Sequence, residues 1–462
     1  MDTTIELTDL QQKNPWWENA AFIEEDDKIK EFGLQKYKYR HPLEDAFPLL
    51  TPGVLSLRGP RQIGKTTLVK LIIKNLLAKK VPAQNIFFYS CNLIADFKEL
   101  GALLKEYLEF STHKTSGMLY IFLDEISFVA DWPRAIKEVM EGAWGKRTLF
   151  LLTGSSTIDI KFSSERLPGR RGKMNILDFE FLPLSFKEFI KIAKPDLLEN
   201  EPEKALFKKL HYRHLFRDYL LCGGFPAVIN SYYKNHLIET FTYKLYTAWI
   251  SGDLHKMGKS DLLADQMLAK LILSLSTPLS FYEITKESGL ASHGTTAEYL
   301  ELFEELYCLI RLNCYLVPQK RFDPKKNHKF YFFDPFILNA LHAKIKESLD
   351  EGFSFSKHFI DNPAVYPHLV ESVVAAHLKR MPSSRLFYGR LDKEKEVDFV
   401  RVSKRGEEYF EVKYQKSIKI SEFYPITKAL GNKKLTIITR DAFIKEKNIH
   451  MLPLEIFLAT LD

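Results

Sequence analysis

The stretch Leu55-Ser56-Leu57-Arg58-Gly59-Pro60-Arg61-Gln62-Ile63-Gly64-Lys65-Thr66-Thr67 decides the fold of the first half of this chain. It reads as an apolar strand, a loop bounded by two glycines, and a helix running from Thr66 toward Leu77. The loop fits the pattern G-x-x-x-x-G-K-[ST] at every fixed position. Gly59 and Gly64 let the backbone curl so that successive N–H groups turn inward, around Pro60, Arg61, Gln62 and Ile63. A helix that begins there points its positive dipole end at the same place. Lys65 adds a cation suited to β- and γ-phosphates, and the Thr66 hydroxyl, next to Thr67, is placed to ligate Mg²⁺. The expected ligand of residues 59–67 is therefore ATP with Mg²⁺.

Working outward, Ile86-Phe87-Phe88-Tyr89-Ser90 has the composition of a second strand, and a polar helix is expected from Phe97 to Phe110. Met118-Leu119-Tyr120-Ile121-Phe122-Leu123 is a continuous apolar run that ends in Asp124 and Glu125. Such a run suits a strand buried on both faces of a parallel sheet. Its carboxylates then fall at the C-terminal edge, where ligands of open α/β sheets bind. Asp124 fits a Mg²⁺-associated acid, and Glu125 a base that orients the attacking water. Thr148 to Ser156 repeats the design. Thr153 or Ser155 could sense a γ-phosphate, or could simply turn the chain at a strand end. Beyond it, Arg170 lies in the basic turn Glu165–Gly172 and is a candidate for stabilising transition-state charge. Alternating β and α signals over residues 51–190 predict a three-layer α/β domain with a mostly parallel sheet.

These motifs resemble a large archaeal and bacterial family of AAA-type ATPases. The phosphate loop, Leu123-Asp124-Glu125-Ile126 followed by Asp131-Trp132, and Leu152-Thr153-Gly154-Ser155-Ser156 carry the likeness, with Leu167-Pro168-Gly169-Arg170 and Leu182-Pro183-Leu184-Ser185-Phe186-Lys187-Glu188-Phe189. The resemblance implies an ATP-hydrolysing core with a helical lid and a nuclease-like C-terminal domain. An arginine reaching a neighbouring subunit's phosphates would make the protein a homo-oligomer.

With 462 residues, two to four domains are expected, and 45% hydrophobic with 27% charged residues describes a globular chain. The formal net charge of +7 is compatible with a nucleic-acid partner. Four cysteines without C-x-x-C spacing are expected to be reduced, buried thiols. A polar start and the lack of an apolar run of about 20 residues predict a cytoplasmic protein with no membrane partner. In the approach segment, residues 1–50, Trp16 and Trp17 are expected to pin a strap onto the following domain, the rival being a partner-binding or base-stacking role.

Residues 191–258 read as a helical lid interrupted by Cys222-Gly223-Gly224-Phe225-Pro226, a hinge or a plain interhelical turn. Residues 259–335 read as a winged-helix-like domain: helices from Leu262, Pro278 and Thr295, the last running to Ile310, then a wing of Ile310–Leu316 and Lys329–Phe333. Glu298, Glu301, Glu304 and Glu305 make the third helix acidic, so an interaction or spacer role stands beside DNA contact.

In residues 336–462, the period of two puts Glu411 and Lys413 on one strand face, with Asp398 on a neighbouring strand and Glu371 on a helix before them. That is the layout of a PD-(D/E)XK nuclease. Asp398 and Glu411 would hold Mg²⁺ or Mn²⁺ with the Val412 carbonyl, Lys413 would orient water, and Glu371 would be an accessory acid. Segment 379–434 holds 15 Lys and Arg against 8 Asp and Glu, an excess suited to DNA phosphates. The fold class expected is α/β: an AAA-type P-loop ATPase core with helical lid, a winged-helix-like domain, and a restriction-endonuclease-like α/β end. The function expected is an ATP-hydrolysing enzyme that binds DNA, with a metal-dependent nuclease site. Its rival is a signalling or assembly ATPase whose nuclease-like end is a non-catalytic recognition module.

Overall fold

A computed structural model describes residues 7–114, 116–154, 177–382, 384–392, 395–431 and 433–461, and divides into two compact units, Met1–Leu182 and Pro183–Asp462. The first unit is built on five strands: β1 (Gly53–Arg58), β2 (Ile86–Ser90), β3 (Leu119–Asp124), β4 (Thr148–Gly154) and β5 (Asp178–Glu180). They lie in the order β2-β3-β4-β1-β5, with all pairings parallel. Parallel neighbours need crossovers, which the helices Lys65–Ala78, Phe97–Lys114 and Pro133–Glu141 contribute. All six residues of β3 and all seven of β4 are buried, so no polar face was available to give alternation. Because β4 sits between β1 and β3, the loop after β1 and the ends of β3 and β4 meet at one sheet edge.

β2 is an edge strand, and the approach segment covers it. Asn14 behaves like a strand residue: its Oδ1 accepts from Phe88 N at 2.7 Å and its Nδ2 donates to Phe88 O at 3.1 Å. Trp16 and Trp17, 1% and 6% exposed, both donate their indole N–H to Ile86 O. Trp17 also stacks on Phe110, ring centroids 4.9 Å apart. The tryptophans thus satisfy backbone groups that an open edge would leave to another chain.

In the second unit, helices Lys209–Cys222, Pro226–Asn235 and Thr240–Lys256 come first, then Asp261–Leu273, Phe281–Glu287 and His293–Glu305. The third of the latter group ends at Glu305, before the expected Ile310, because Tyr307 turns into the left-handed region (φ 57°) and Leu309 starts a strand. β6 (Leu309–Leu312) pairs antiparallel with β9 (Lys329–Phe332), while Leu279 and His328 bridge beside them. The expected single wing strand Ile310–Leu316 does not exist as such. It breaks at Asn313, and β7 (Cys314–Leu316) leaves to pair in parallel with β10 (Ser384–Arg390). β8 (Arg321–Asp323) pairs with β7.

The larger sheet continues through β11 (Glu396–Ser403), β12 (Gly406–Lys413), β13 (Leu435–Thr439), β14 (Ile444–Lys445) and β15 (Ile449–Pro453). Its order is β14-β15-β13-β12-β11-β10-β7-β8. Apolar side chains of one face, including Val397, Tyr409, Leu435, Ile437 and Met451, form its core.

The Gly223-Gly224 turn is a fixed knot between helices rather than a hinge. A Cβ on Gly223 (φ 61°) would lie 2.1 Å from Asp334 Oδ1, and one on Gly224 2.3 Å from Leu184 O. Gly224 N donates to Asp334 Oδ2 at 2.8 Å, and Asp334 also caps helix Pro335–Ile345 through Phe336 N at 2.9 Å. Burial pushes the Asp334 carboxyl up to about 6, although backbone donors and Arg380 draw it back. Gly223→Ala must strain the backbone and displace this buried carboxylate. The expected result is a loss of about 2–4 kcal/mol of stability in residues 183–462, read by denaturant unfolding. A loss under about 0.5 kcal/mol would show a pliable turn.

Candidate functional site

The loop after β1 holds the shape its glycines allow. Gly64 has φ 110° and Gln62 sits in the left-handed region at φ 60°. A Cβ on Gly59 would lie 2.1 Å from Phe181 O, so only glycine fits where the chain after β5 crosses it. Helix Lys65–Ala78 begins directly at the loop. Lys65 is 5% exposed, and its Nζ donates to Gly59 O at 2.8 Å and Pro60 O at 3.0 Å. The ammonium group is folded over its own loop.

Thr66 Oγ1 donates to Asp124 Oδ2 at 2.7 Å. Thr153 Oγ1 donates to the other carboxylate oxygen, Asp124 Oδ1, and accepts from Glu125 N at 3.1 Å. One carboxylate therefore joins the ends of β3 and β4 to the first turn of the helix after the loop. Glu125 is in the left-handed region at φ 54°, and its Oε2 is buried with no hydrogen-bond partner among the described residues. Strain and an unsatisfied acceptor in one residue are the kind of local cost found at functional sites. Ser155 and Arg170 lie outside the described residues.

The second unit gathers a separate cluster. Glu371 lies on helix Tyr366–Arg380, Asp398 on β11, and Glu411 with Lys413 on β12. Asp398 N donates to Glu411 Oε2 at 3.1 Å, and Lys413 Nζ stands 2.9 Å from Glu411 Oε1. Asp398 Oδ2 accepts from Val412 N at 2.9 Å. Burial raises the pKa of both Glu371 and Glu411, and the charge of Asp398 adds to it.

One member was not expected from the sequence. Lys329, on β9 and 5% exposed, places its Nζ 3.4 Å from Asp398 Oδ1 and 3.6 Å from Glu371 Oε1. Tyr331, two residues on, donates to Glu371 at 2.6 Å. The structure brings Glu371 to Asp398 through Lys329, and Asp398 to Glu411 and Lys413 through direct contacts. The sequence did not place a second buried ammonium among them. Among the described residues no group of three or more His, Cys, Asp or Glu is arranged to hold a metal ion. The donors do not fit a divalent ion as they stand, because the Lys329 ammonium lies between two of the acids.

Residues 51–190 match the family model of an AAA domain. Residues 51–190 are thus similar to an AAA domain. A second model, a domain of unknown function (DUF8612), matches residues 213–348. Among curated proteins none matches the chain. Solved structures similar to it include a Walker-type ATPase of Pyrococcus abyssi, 12% identical, with a TM-score of 0.41 over 63% of this chain and 91% of that one. The ORC2 protein of Aeropyrum pernix is 12% identical, with a TM-score of 0.36 over 66% and 90%. RuvB of Thermotoga maritima is 14% identical, with a TM-score of 0.31 over 70% and 91%.

The sequence offered two roles for Thr153, a γ-phosphate sensor or a strand-end turn, and neither named its contact with Asp124. Lys329 had even less signal, since it stands in an apolar strand-like run where a charge usually marks a solvated face. Among the described residues no helix is long and apolar enough to cross a membrane.

Proposed function

We propose that this protein hydrolyses ATP through its AAA domain and that its second unit recognises DNA without cleaving it. The observation that carries the first half is the joined set Thr66, Asp124 and Thr153, with Glu125 beside it, whose Oε2 has no partner among the described residues. The Thr66 hydroxyl and the Asp124 carboxylate fit Mg²⁺, which would add positive charge to the β- and γ-phosphates when bound. Lys65 exchanges the carbonyls of Gly59 and Pro60 for phosphate oxygens, and the loop N–H groups cradle them. Glu125 accepts a hydrogen bond from the attacking water and orients it, since its Oε2 has no partner among the described residues and its backbone is held by Thr153. Thr153 ties that position to Asp124, so the metal-associated acid and the base move together. The test is ATP turnover by the purified full-length chain with and without Mg²⁺; no turnover in either condition, with folded protein, would remove the reading.

Three features support DNA recognition by the second unit. Helices Asp261–Leu273, Phe281–Glu287 and His293–Glu305 with the β6/β9 ribbon have the order of a winged helix. Acidity of the third helix is partly offset within the unit, where Glu298 pairs with Lys259 and Glu304 with Arg311. The stronger feature is the end of the large sheet where β10, β12, β13 and β15 start and β11 finishes. Exposed Arg385, Lys404, Arg405, Lys434 and Lys447 line that end. The carboxylate cluster lies at the opposite end, about 20 Å along β12 at roughly 3.3 Å per residue. Arg385, Lys404, Arg405 and Lys434 thus stand apart from the acidic cluster, which supports backbone binding at that end of the sheet.

Replacing Lys404, Arg405 and Lys434 together by Ala should weaken duplex binding at low salt by about tenfold or more. It should also flatten the log-affinity against log-salt slope by about two to three units, with ATP turnover unchanged. An unchanged slope would move the DNA contact elsewhere.

A further inference from the structure

We propose that Lys329 is the resident cation of the Glu371–Asp398–Glu411 cluster and takes the place of a divalent metal ion there. The inference deepens the non-cleaving reading of the second unit. It rests on that reading only for the site's role, because the test below uses no DNA.

The geometry is that of a cation shared by two acids. Nζ of Lys329 is 3.4 Å from Asp398 Oδ1 and 3.6 Å from Glu371 Oε1, at a position closed from solvent. A divalent ion bound to both acids would need oxygen distances of about 2.0–2.6 Å. It would therefore stand against the ammonium, with like charges in a buried site. The lysine has no easy exit. β9 is held by β6 on one side, Phe332 N donates to Ser372 Oγ at 3.1 Å, and Tyr331 donates to Glu371. Removing the ammonium from its partners would leave uncompensated buried carboxylates.

The remaining donors are occupied in the same sense. Asp398 Oδ2 is taken by Val412 N, Glu411 Oε2 by Asp398 N, and Glu411 Oε1 by Lys413. Three carboxylates face two ammonium groups and the Tyr331 hydroxyl, so two of the three negative charges are offset within the cluster itself. The cluster also joins four elements: β9, the helix carrying Glu371, β11 and β12. It fastens the small ribbon of the second unit to its large sheet through charge, where a metal-loaded site would have done so through coordination.

The test is Mn²⁺ binding to the full-length, nucleotide-free chain carrying Asp124→Asn, which silences metal binding at the nucleotide loop. The signal of free Mn²⁺ in electron paramagnetic resonance reports occupancy. With Lys329 present, no stoichiometric site dependent on Asp398 is expected. Lys329→Met should create one, with Mn²⁺ affinity raised about tenfold or more, and adding Asp398→Asn should abolish it. Lys329→Arg keeps the cation and should bind no better than the parent. Because Lys329→Met alone could unfold the unit, the pair Lys329→Met with Glu371→Gln, which removes one charge of each sign, is measured beside it. The proposal is overturned if the lysine-containing protein already binds one Mn²⁺ that Asp398→Asn removes. It is equally overturned if both methionine variants fold, by near-ultraviolet dichroism, and bind Mn²⁺ no more tightly than the parent.

Discussion

Glu125→Gln protein should bind ATP nearly as tightly as the parent and hydrolyse it about 10²–10⁴ times more slowly. The amide keeps the size of the carboxylate and its place at the end of β3, where the residue N–H is held by Thr153. It cannot take a proton from water, and it replaces one acceptor with a donor. The acceptor lost is chemically meaningful because Oε2 is buried with no hydrogen-bond partner among the described residues. Single-turnover hydrolysis and equilibrium binding of a fluorescent ATP analogue separate the two effects. Loss of affinity by the same factor as turnover would make Glu125 a binding or structural group and overturn its assignment as base.

Lys65→Ala should abolish turnover and weaken ATP binding by at least about a hundredfold, the scale of two charge-assisted hydrogen bonds at roughly 1.5–3 kcal/mol each. Two losses combine. The phosphates lose a buried cation, and the carbonyls of Gly59 and Pro60 lose the donor that now closes the loop over them. A measured affinity near that of the parent, with turnover intact, would show that the loop does not carry nucleotide. Lys65→Arg tests whether charge alone suffices. The guanidinium group is larger and planar, so it should restore part of the binding and little of the turnover.

The two variants give different signatures from one edge of one sheet. In the proposed mechanism Lys65 acts on ligand charge in both ground and transition states, so it should move affinity and rate. Glu125, as the proposed base, acts on water and should move rate alone. A protein in which the two signatures coincide would not have the division of labour proposed from the Asp124-centred contacts.

The sequence by itself determined the nucleotide loop, because its chemistry is local. Gly59, Gly64, Lys65 and Thr66 act within a few residues of one another, and the backbone curl they require is a property of the segment. It also determined β3 and β4 as buried parallel strands, since continuous apolar runs have few other destinations. Trp16 and Trp17 were legible as a strap, though not as caps for the backbone of an edge strand, because strand order is not written in any one segment.

Tertiary structure alone decided the C-terminal site. Period-two spacing could set Glu411 and Lys413 on one face, but Lys329 comes from a strand 69 residues before Asp398 and pairs with it only after folding. The same holds for Asn313, where an apparently continuous strand divides so that Cys314–Leu316 can join the sheet of β10. Local pattern reports which side chains share a face. Which charge neutralises which is settled by packing between distant elements, because buried ions are stable only beside partners that the whole fold brings to them.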